Sequence, residues 1–147
     1  MINGFEKEYR FLSNFYNRGL TFRGKYYATS EHAYAAYKAT NEEDHRLIES
    51  QSSPRMAKIK GQQIKCRDDW EDIKYDLMLE IVRAKFQDPY LKELLDNTDD
   101  EELIEDNNWH DNTWGNCTCS ERDTCNEEGK NWLGKILMII RNENRNL

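Results

Sequence analysis

From Asp68 to Phe86, the residues Trp70, Ile73, Leu77, Ile81 and Ala84 recur at helical spacing, which predicts one long amphipathic helix. Its Asp68-Asp69 start lies at the positive end of the helix macrodipole, where acidic side chains are favourable. Pro89 interrupts the pattern, and Pro89 to Leu95 predicts a short helix of its own. Upstream, Leu20-Thr21-Phe22-Arg23 and Lys25-Tyr26-Tyr27 flank Gly24 as a short hairpin. Ahead of it, Arg10-Phe11-Leu12-Ser13-Asn14-Phe15-Tyr16 reads as an aromatic loop and a candidate pocket lining. Thr29 to Lys38 predicts another helix, with Thr29 and Ser30 as N-cap candidates. The alanines at 33, 35, 36 and 39 let other segments approach closely, which suits a buried helix. Asn41 to Glu49 is polar and predicts an exposed helix, and Ser53-Pro54 opens a further one that runs to Lys65. Leu103-Ile104-Glu105 predicts a short strand, and Trp132 to Arg141 an apolar helix. Between these two, Asp106 to Lys130 shows no period and predicts a long loop rich in Asn, Asp, Thr, Gly and Cys.

With 147 residues, no internal repeat and no linker, the expectation is a single domain over 1–147 with a Cys-rich loop at about 116–128. The net charge of −7 argues against a broad phosphate-backbone footprint, while a local basic pocket stays open. The first residues contain no apolar leader, and no run approaches membrane-spanning length, so no membrane association and a cytoplasmic location are expected. In that compartment the 4 cysteines are thiols or metal ligands rather than disulfides. Cys117, Cys119 and Cys125 with His110 offer the donors of a tetrahedral zinc site, but their spacing matches no standard zinc motif. The expectation is therefore free thiols with neither metal nor cofactor, and zinc is the alternative.

Glu31 falls in the first turn of its helix, where the macrodipole stabilises a carboxylate by about 0.3–1 kcal/mol. Spacing of i, i+3 and i+7 sets Glu31, Tyr34 and Lys38 along one stripe, an acid, a phenol and an amine for a common cleft. The plainer reading is ordinary capping. His32 points about 100° away from Glu31 around the helix, which makes it a packing or hydrogen-bonding residue rather than the general acid.

Five pieces occur in order along the chain: Phe11-Leu12-Ser13-Asn14-Phe15, Ser30-Glu31-His32-Ala33-Tyr34, Arg67-Asp68-Asp69-Trp70, Asp111-Asn112-Thr113-Trp114-Gly115, and Gly129-Lys130-Asn131-Trp132-Leu133-Gly134-Lys135 continuing to Arg141. Together they resemble the YbiA-like, or NADAR, family, which includes N-glycosidases of riboflavin-pathway intermediates and ADP-ribosyl hydrolases. The resemblance implies a single-domain, mainly α fold with a few short β-strands that hydrolyses an N-glycosidic bond without metal or redox cofactor.

By motif, the resemblance makes Glu31, Trp70 and Asp111 active-site residues. Breaking a ribose C1′–N bond develops positive charge on the sugar ring, which carboxylates stabilise while one of them activates water, so Glu31 and Asp111 are the catalytic candidates. Trp70 is a stacking plate for a heterocycle, with core packing as its plainer role. Asp111 has an alternative as a turn residue. Asn14, Phe15, Tyr34 and Trp114 are candidate substrate contacts, and Lys38, Arg67 and Arg141 are candidates for phosphate oxygens or, failing that, for surface ion pairs. One departure stands out: Thr98-Asp99-Asp100 replaces an expected Thr-Gly-Asp, which puts a tight turn there in question. The substrate implied is a phosphorylated ribosylamine or an ADP-ribosyl adduct, including an ADP-ribosylated base on a nucleic acid. The rival reading is a non-catalytic module that binds ADP-ribose or a nucleotide.

Overall fold

The computed structural model describes residues 1–146, with the backbone alone at 124 and 126. In chain order the elements are β1 (Ile2–Asn3), a 3-10 helix (Lys7–Leu12), β2 (Leu20–Phe22), β3 (Lys25–Tyr27), α1 (Ser30–Ala36), α2 (Glu42–Glu49), α3 (Pro54–Gln63), α4 (Trp70–Lys85) and α5 (Pro89–Asp96). They continue as β4 (Leu103–Ile104), β5 (Asp106–Asn107), β6 (Asn116–Cys117), a second 3-10 helix (Asp123–Asn126) and α6 (Trp132–Arg145). Helices dominate and the strands are short, as the resemblance implies. The chain clusters into two compact units, Asn14–Gln87 and Met1–Ser13 with Asp88 onward.

The Asn14–Gln87 unit is built around α1. Every residue of this helix is buried, and it packs on α2, α3 and α4. Small side chains make this possible: a Cβ on Gly61 of α3 would lie 3.2 Å from the Ala35 Cβ, so the two helices meet nearly backbone to backbone. Thr29 is the N-cap, its hydroxyl accepting from the His32 N–H at 3.2 Å. The cap therefore settles on Thr29 rather than Ser30. α1 ends at Ala36, earlier than the alanine run predicts, and Lys38 lies beyond it. Asn41 caps α2 and Ser53 caps α3, with Pro54 in the first turn. α2 buries Ile48 and little else, the exposed helix its composition predicts. β2 and β3 pair antiparallel around the Arg23-Gly24 turn, both at positive φ.

The predicted stripe on α4 is rotated. Ile73 and Ala84 are half-buried, while Met78, Val82 and Lys85 join Trp70, Leu77 and Ile81 inside. Met78, Val82 and Lys85 follow the same 3.6 period on a neighbouring face, and the sequence pattern could not choose the wider arc that neighbours cover.

In the second unit, α6 packs on β4 and on α5. A Cβ on Gly134 would come 2.1 Å from the Leu103 carbonyl oxygen, so only glycine allows this approach of helix to strand. β1 pairs parallel with β4, and β5 with β6, three strands the sequence pattern did not reveal because two residues are too few to show alternation. Asp99 holds φ +54, so the left-handed turn survives without its expected glycine. The guanidinium of Arg141 donates to the Thr98 hydroxyl and the Glu101 carbonyl, both at 2.9 Å, and so ties this turn to α6.

Candidate functional site

In the first unit three motif pieces are joined by backbone hydrogen bonds. The Glu31 N–H donates to the Asn14 carbonyl at 3.1 Å, which sets Asn14 at the start of α1. The Arg67 N–H donates to the Lys38 carbonyl at 2.9 Å, and the Trp70 N–H to Arg67 at 3.3 Å, which brings the Arg-Asp-Asp-Trp piece to the end of α1. Glu31 is 7% exposed, an unusual depth for a carboxylate and one that requires partners. Asn14 donates its amide to the Met78 sulfur at 3.5 Å, and its Oδ1 is buried with no hydrogen-bond partner. An orphan acceptor at that position costs about 1–3 kcal/mol unless something donates to it.

Trp70 is buried and its ring meets that of Tyr34 at 4.9 Å between centroids, inclined by 54°. The Lys38 ammonium lies 5.6 Å from the Trp70 ring and 5.9 Å from the Tyr34 ring. Tyr34, Lys38 and Trp70 therefore form one group, although Lys38 is outside the helix on which the predicted stripe placed it. Arg67 is otherwise engaged: its guanidinium grips the Asp69 carboxylate at 2.6 and 2.9 Å. An open depression of about 450 Å³ lies beside it, lined by Ala39, Thr40, Lys65, Arg67, Asp68 and Asp69. Phe15 is 41% exposed, with the Lys58 ammonium 5.9 Å from its ring.

His32 has the packing role expected of it. Its Nε2 faces the Gln51 carbonyl at 2.8 Å and so carries the proton, and its Nδ1 accepts from the Thr29 hydroxyl at 2.8 Å.

In the second unit Asp111 sits half-buried on an irregular segment. Its Oδ1 accepts from the Thr113 and Trp114 backbone N–H groups at 3.0 and 2.9 Å, so the turn role is real and occupies one carboxylate oxygen. Asn107 supports the same turn by accepting from the Asp111 N–H and donating to its carbonyl. The carbonyls of Asn112, Thr113, Trp114 and Gly115 receive the N–H groups of Lys130, Trp132, Leu133 and Asn131, which satisfies donors at the start of α6. Asn131, itself at φ +51, bonds Glu105 and Leu103 through its side chain. The two late motif pieces are thus joined in one hydrogen-bonded clamp next to Asp111. Trp114 stacks edge-on against Trp132 at 5.5 Å. Arg141 is 6% exposed and its Nη1 donates to the Thr98 hydroxyl and the Glu101 carbonyl, which gives it a structural role.

The ligand atoms of His110, Cys117, Cys119 and Cys125 converge to within 4.8 Å of one another. Burial raises the Cys117 thiol, but hydrogen bonding from Cys125 and Cys119 outweighs it and holds this thiol below the usual range; Cys125, the donor, is pushed up.

Sequence reasoning missed Lys85. It is 3% exposed at the end of α4, and burial brings its ammonium down to about 7. Its Nζ lies 5.9 Å from the Tyr16 ring and 5.2 Å from that of Phe86. The available signal was a lysine in register with Met78, Ile81 and Val82, a cation on an apolar stripe.

Mainly helical, with very short strands and motif pieces that knit around an inward carboxylate in one unit and a clamped one in the other, the chain has the architecture of a NADAR domain, whose family model matches residues 3–145. The chain belongs to the NADAR family. It is 37% identical over 145 residues to the N-glycosidase Npun_R5314 of Nostoc punctiforme, covering 95% of this chain and 88% of that protein. It is 33% identical over 141 residues to the riboflavin biosynthesis protein VVA0006 of Vibrio vulnificus, covering 94% of this chain and 36% of that longer protein. The NMR structure of Escherichia coli YbiA superposes with a TM-score of 0.83 at 33% identity, covering 97% of this chain and 83% of that one.

Proposed function

We propose that this protein hydrolyses the ribose C1′–N bond of a phosphorylated ribosylamine of the riboflavin-intermediate type, with Glu31 and Asp111 as its two carboxylates. The broader class is plain: at 33–37% identity over most of the chain, the relatives carry N-glycosidase and riboflavin biosynthesis names, and the protein is a hydrolase of N-glycosidic bonds. That stands against the rival of a binding module without turnover. The observation that carries the residue assignment is Glu31 itself, a carboxylate 7% exposed and bonded through its backbone to Asn14, whose Oδ1 lacks a donor.

In the reaction, water adds to C1′, the C1′–N bond breaks with its electrons leaving on nitrogen, and a proton is delivered to that nitrogen. Glu31 stabilises the oxocarbenium charge and takes the proton of the attacking water. Asp111 protonates the departing nitrogen or holds the ribose hydroxyls, using the oxygen that the turn does not need. Ribose hydroxyls are natural donors for Asn14 Oδ1. Lys38 is the cation for the 5′-phosphate, in preference to Arg67, whose fork is on Asp69. Trp70, with Tyr34, forms the aromatic wall for the heterocycle.

The ADP-ribosyl adduct is the second substrate reading. A mass-spectrometric panel of ribosylamine phosphates, NAD, and ADP-ribosylated guanosine, free and in DNA, separates the two by which sample releases its base. Release of ribose 5-phosphate and free amine is expected from the first group. Turnover confined to the ADP-ribosyl samples would replace the proposal with its alternative, and no turnover on any sample would reject both.

A further inference from the structure

We propose that His110, Cys117, Cys119 and Cys125 hold one zinc ion in a closed tetrahedral site that pins the loop bearing Asp111. The His110 Nδ1 lies 3.3 Å from the Cys119 sulfur, 3.4 Å from that of Cys125 and 4.0 Å from that of Cys117, and the Cys117 and Cys119 sulfurs are 3.3 Å apart. Zinc bonds of about 2.3 Å to sulfur and 2.0–2.1 Å to nitrogen, at tetrahedral angles, set sulfur–sulfur edges near ~3.8 Å and sulfur–nitrogen edges near ~3.6 Å. The sulfur–nitrogen edges straddle their value and the Cys117–Cys119 sulfur edge is about 0.5 Å shorter than its own, while all four ligand atoms lie within 4.8 Å of one another, so adjustments of about an ångström or less admit the ion. Spacing in the sequence hid this because His110 reaches the cluster through a left-handed backbone turn, φ +72, and Cys125 through a short 3-10 helix.

Donor chemistry selects the metal. Three thiolates and one imidazole are the ligand set of structural zinc, and four protein donors leave no open position for substrate or water. Binding to the reduced thiols displaces up to three protons, and the site with its neutral imidazole carries a net charge of −1. The second ring nitrogen of His110 faces the Glu121 carboxylate at 3.7 Å, the outer partner that fixes the imidazole's tautomer and orientation when Nδ1 ligates. Cys117 and Cys125 are buried, whereas His110 and Cys119 are half-exposed and give the ion a path in.

The surrounding segment explains the need for such a crosslink. Between β5 and α6 the regular structure amounts to β6 and one 3-10 turn, so the loop has little apolar core to order it. His110 directly precedes Asp111, and Cys117 pairs with Asn107, whose side chain bonds the Asp111 backbone. The metal's hold on both sides fixes that turn. The metal site is independent of the proposed reaction; only the benefit to Asp111 rests on it.

Elemental analysis of the full chain, purified under reducing conditions without chelator, tests the site. About one zinc per chain is expected. Cobalt(II) added to metal-free protein should give a thiolate-to-metal charge-transfer band and the visible bands of tetrahedral cobalt. Cys117→Ser and Cys125→Ser should each weaken zinc binding about 10²-fold or more, Glu121→Gln by about 10-fold, and Cys66→Ser, outside the cluster, not at all. Metal-free wild-type protein that takes up neither zinc nor cobalt with thiolate bands would overturn the proposal, and it needs no variant to fold. A disulfide within the cluster in the reduced preparation, or equal loss of zinc in Cys66→Ser, would also overturn it.

Discussion

Glu31 and Asp111 are held by opposite means. Glu31 belongs to a helix whose every residue is buried, so its backbone position follows from packing: α1 cannot shift without disturbing α2, α3 and α4 together. Asp111 has no such surroundings. Its position rests on polar bonds, namely its own carboxylate capping Thr113 and Trp114, Asn107 bracing the turn, and four carbonyls tied to the start of α6. Packing resists displacement collectively, whereas a loop held by individual bonds of about 1 kcal/mol each loosens when one is lost. The comparison teaches that the same chemical group needs very different amounts of supporting sequence: a short alanine-rich helix for one, and two motif pieces with a candidate metal site for the other.

The largest effect that can break this comparison is on turnover. Glu31→Gln and Asp111→Asn should each lower kcat by about 10²–10⁴-fold with little change in thermal stability, the scale of a lost acid or base. If both carboxylates serve one transition state, the double variant will be scarcely slower than the poorer single variant. Near-parental turnover in Asp111→Asn would leave that residue its turn role alone, and the comparison would become one of catalysis against structure.

Lys85 probes how tightly the packed unit excludes charge. Its folded value of about 7 lies below the ordinary 10.5, so as pH falls from about 10.5 the unfolded chain gains a proton that the folded chain refuses. Stability contributed at high pH is lost progressively down to about pH 7 and is level below that. Denaturant melts of the wild type and Lys85→Met across this window should differ in slope, by up to about 4–5 kcal/mol in total, with the variant more stable at neutral pH. Parallel curves would show that the ammonium stays charged at its usual range.

Trp70 lies in the packed unit as well, and two substitutions separate its roles. Trp70→Ala should cost about 3–5 kcal/mol in stability, from the lost burial and the contact with Tyr34, and should raise KM. Trp70→Phe should keep much of both. An unchanged KM in each would confine the ring to packing.

The smallest expected effect sharpens the contrast on the loop side. Asp111→Ala removes the acceptor for two backbone N–H groups and should cost about 1–2 kcal/mol, visible as a lower Tm, whereas Asp111→Asn keeps an acceptor and most of the stability. Equal Tm values for the two variants would mean that the clamp to α6 suffices without the cap.

The elements that follow local rules were legible in the chain. Thr29, Asn41, Ser53-Pro54 and Pro89 mark helix starts because capping and proline geometry act within a turn, and the hairpin around Gly24 follows from the same short-range logic. Alanine spacing indicated a buried α1, and α1 is buried throughout; the motif pieces nominated Glu31, Trp70 and Asp111 as candidates by resemblance. What depends on partners distant in sequence was decided only by the tertiary structure. Arg141 and Arg67 read alike as cations, yet one is fixed on Thr98 and Glu101 and the other on Asp69. The arc of α4 that is buried, and with it Lys85, depends on which neighbours cover the helix rather than on its period. The convergence of His110 with Cys117, Cys119 and Cys125 depends on a left-handed backbone at His110 and on the pairing of β5 with β6, neither of which leaves a periodic trace. Local sequence sets torsional preference and capping, while burial and coordination arise from side chains that meet only after the chain has folded.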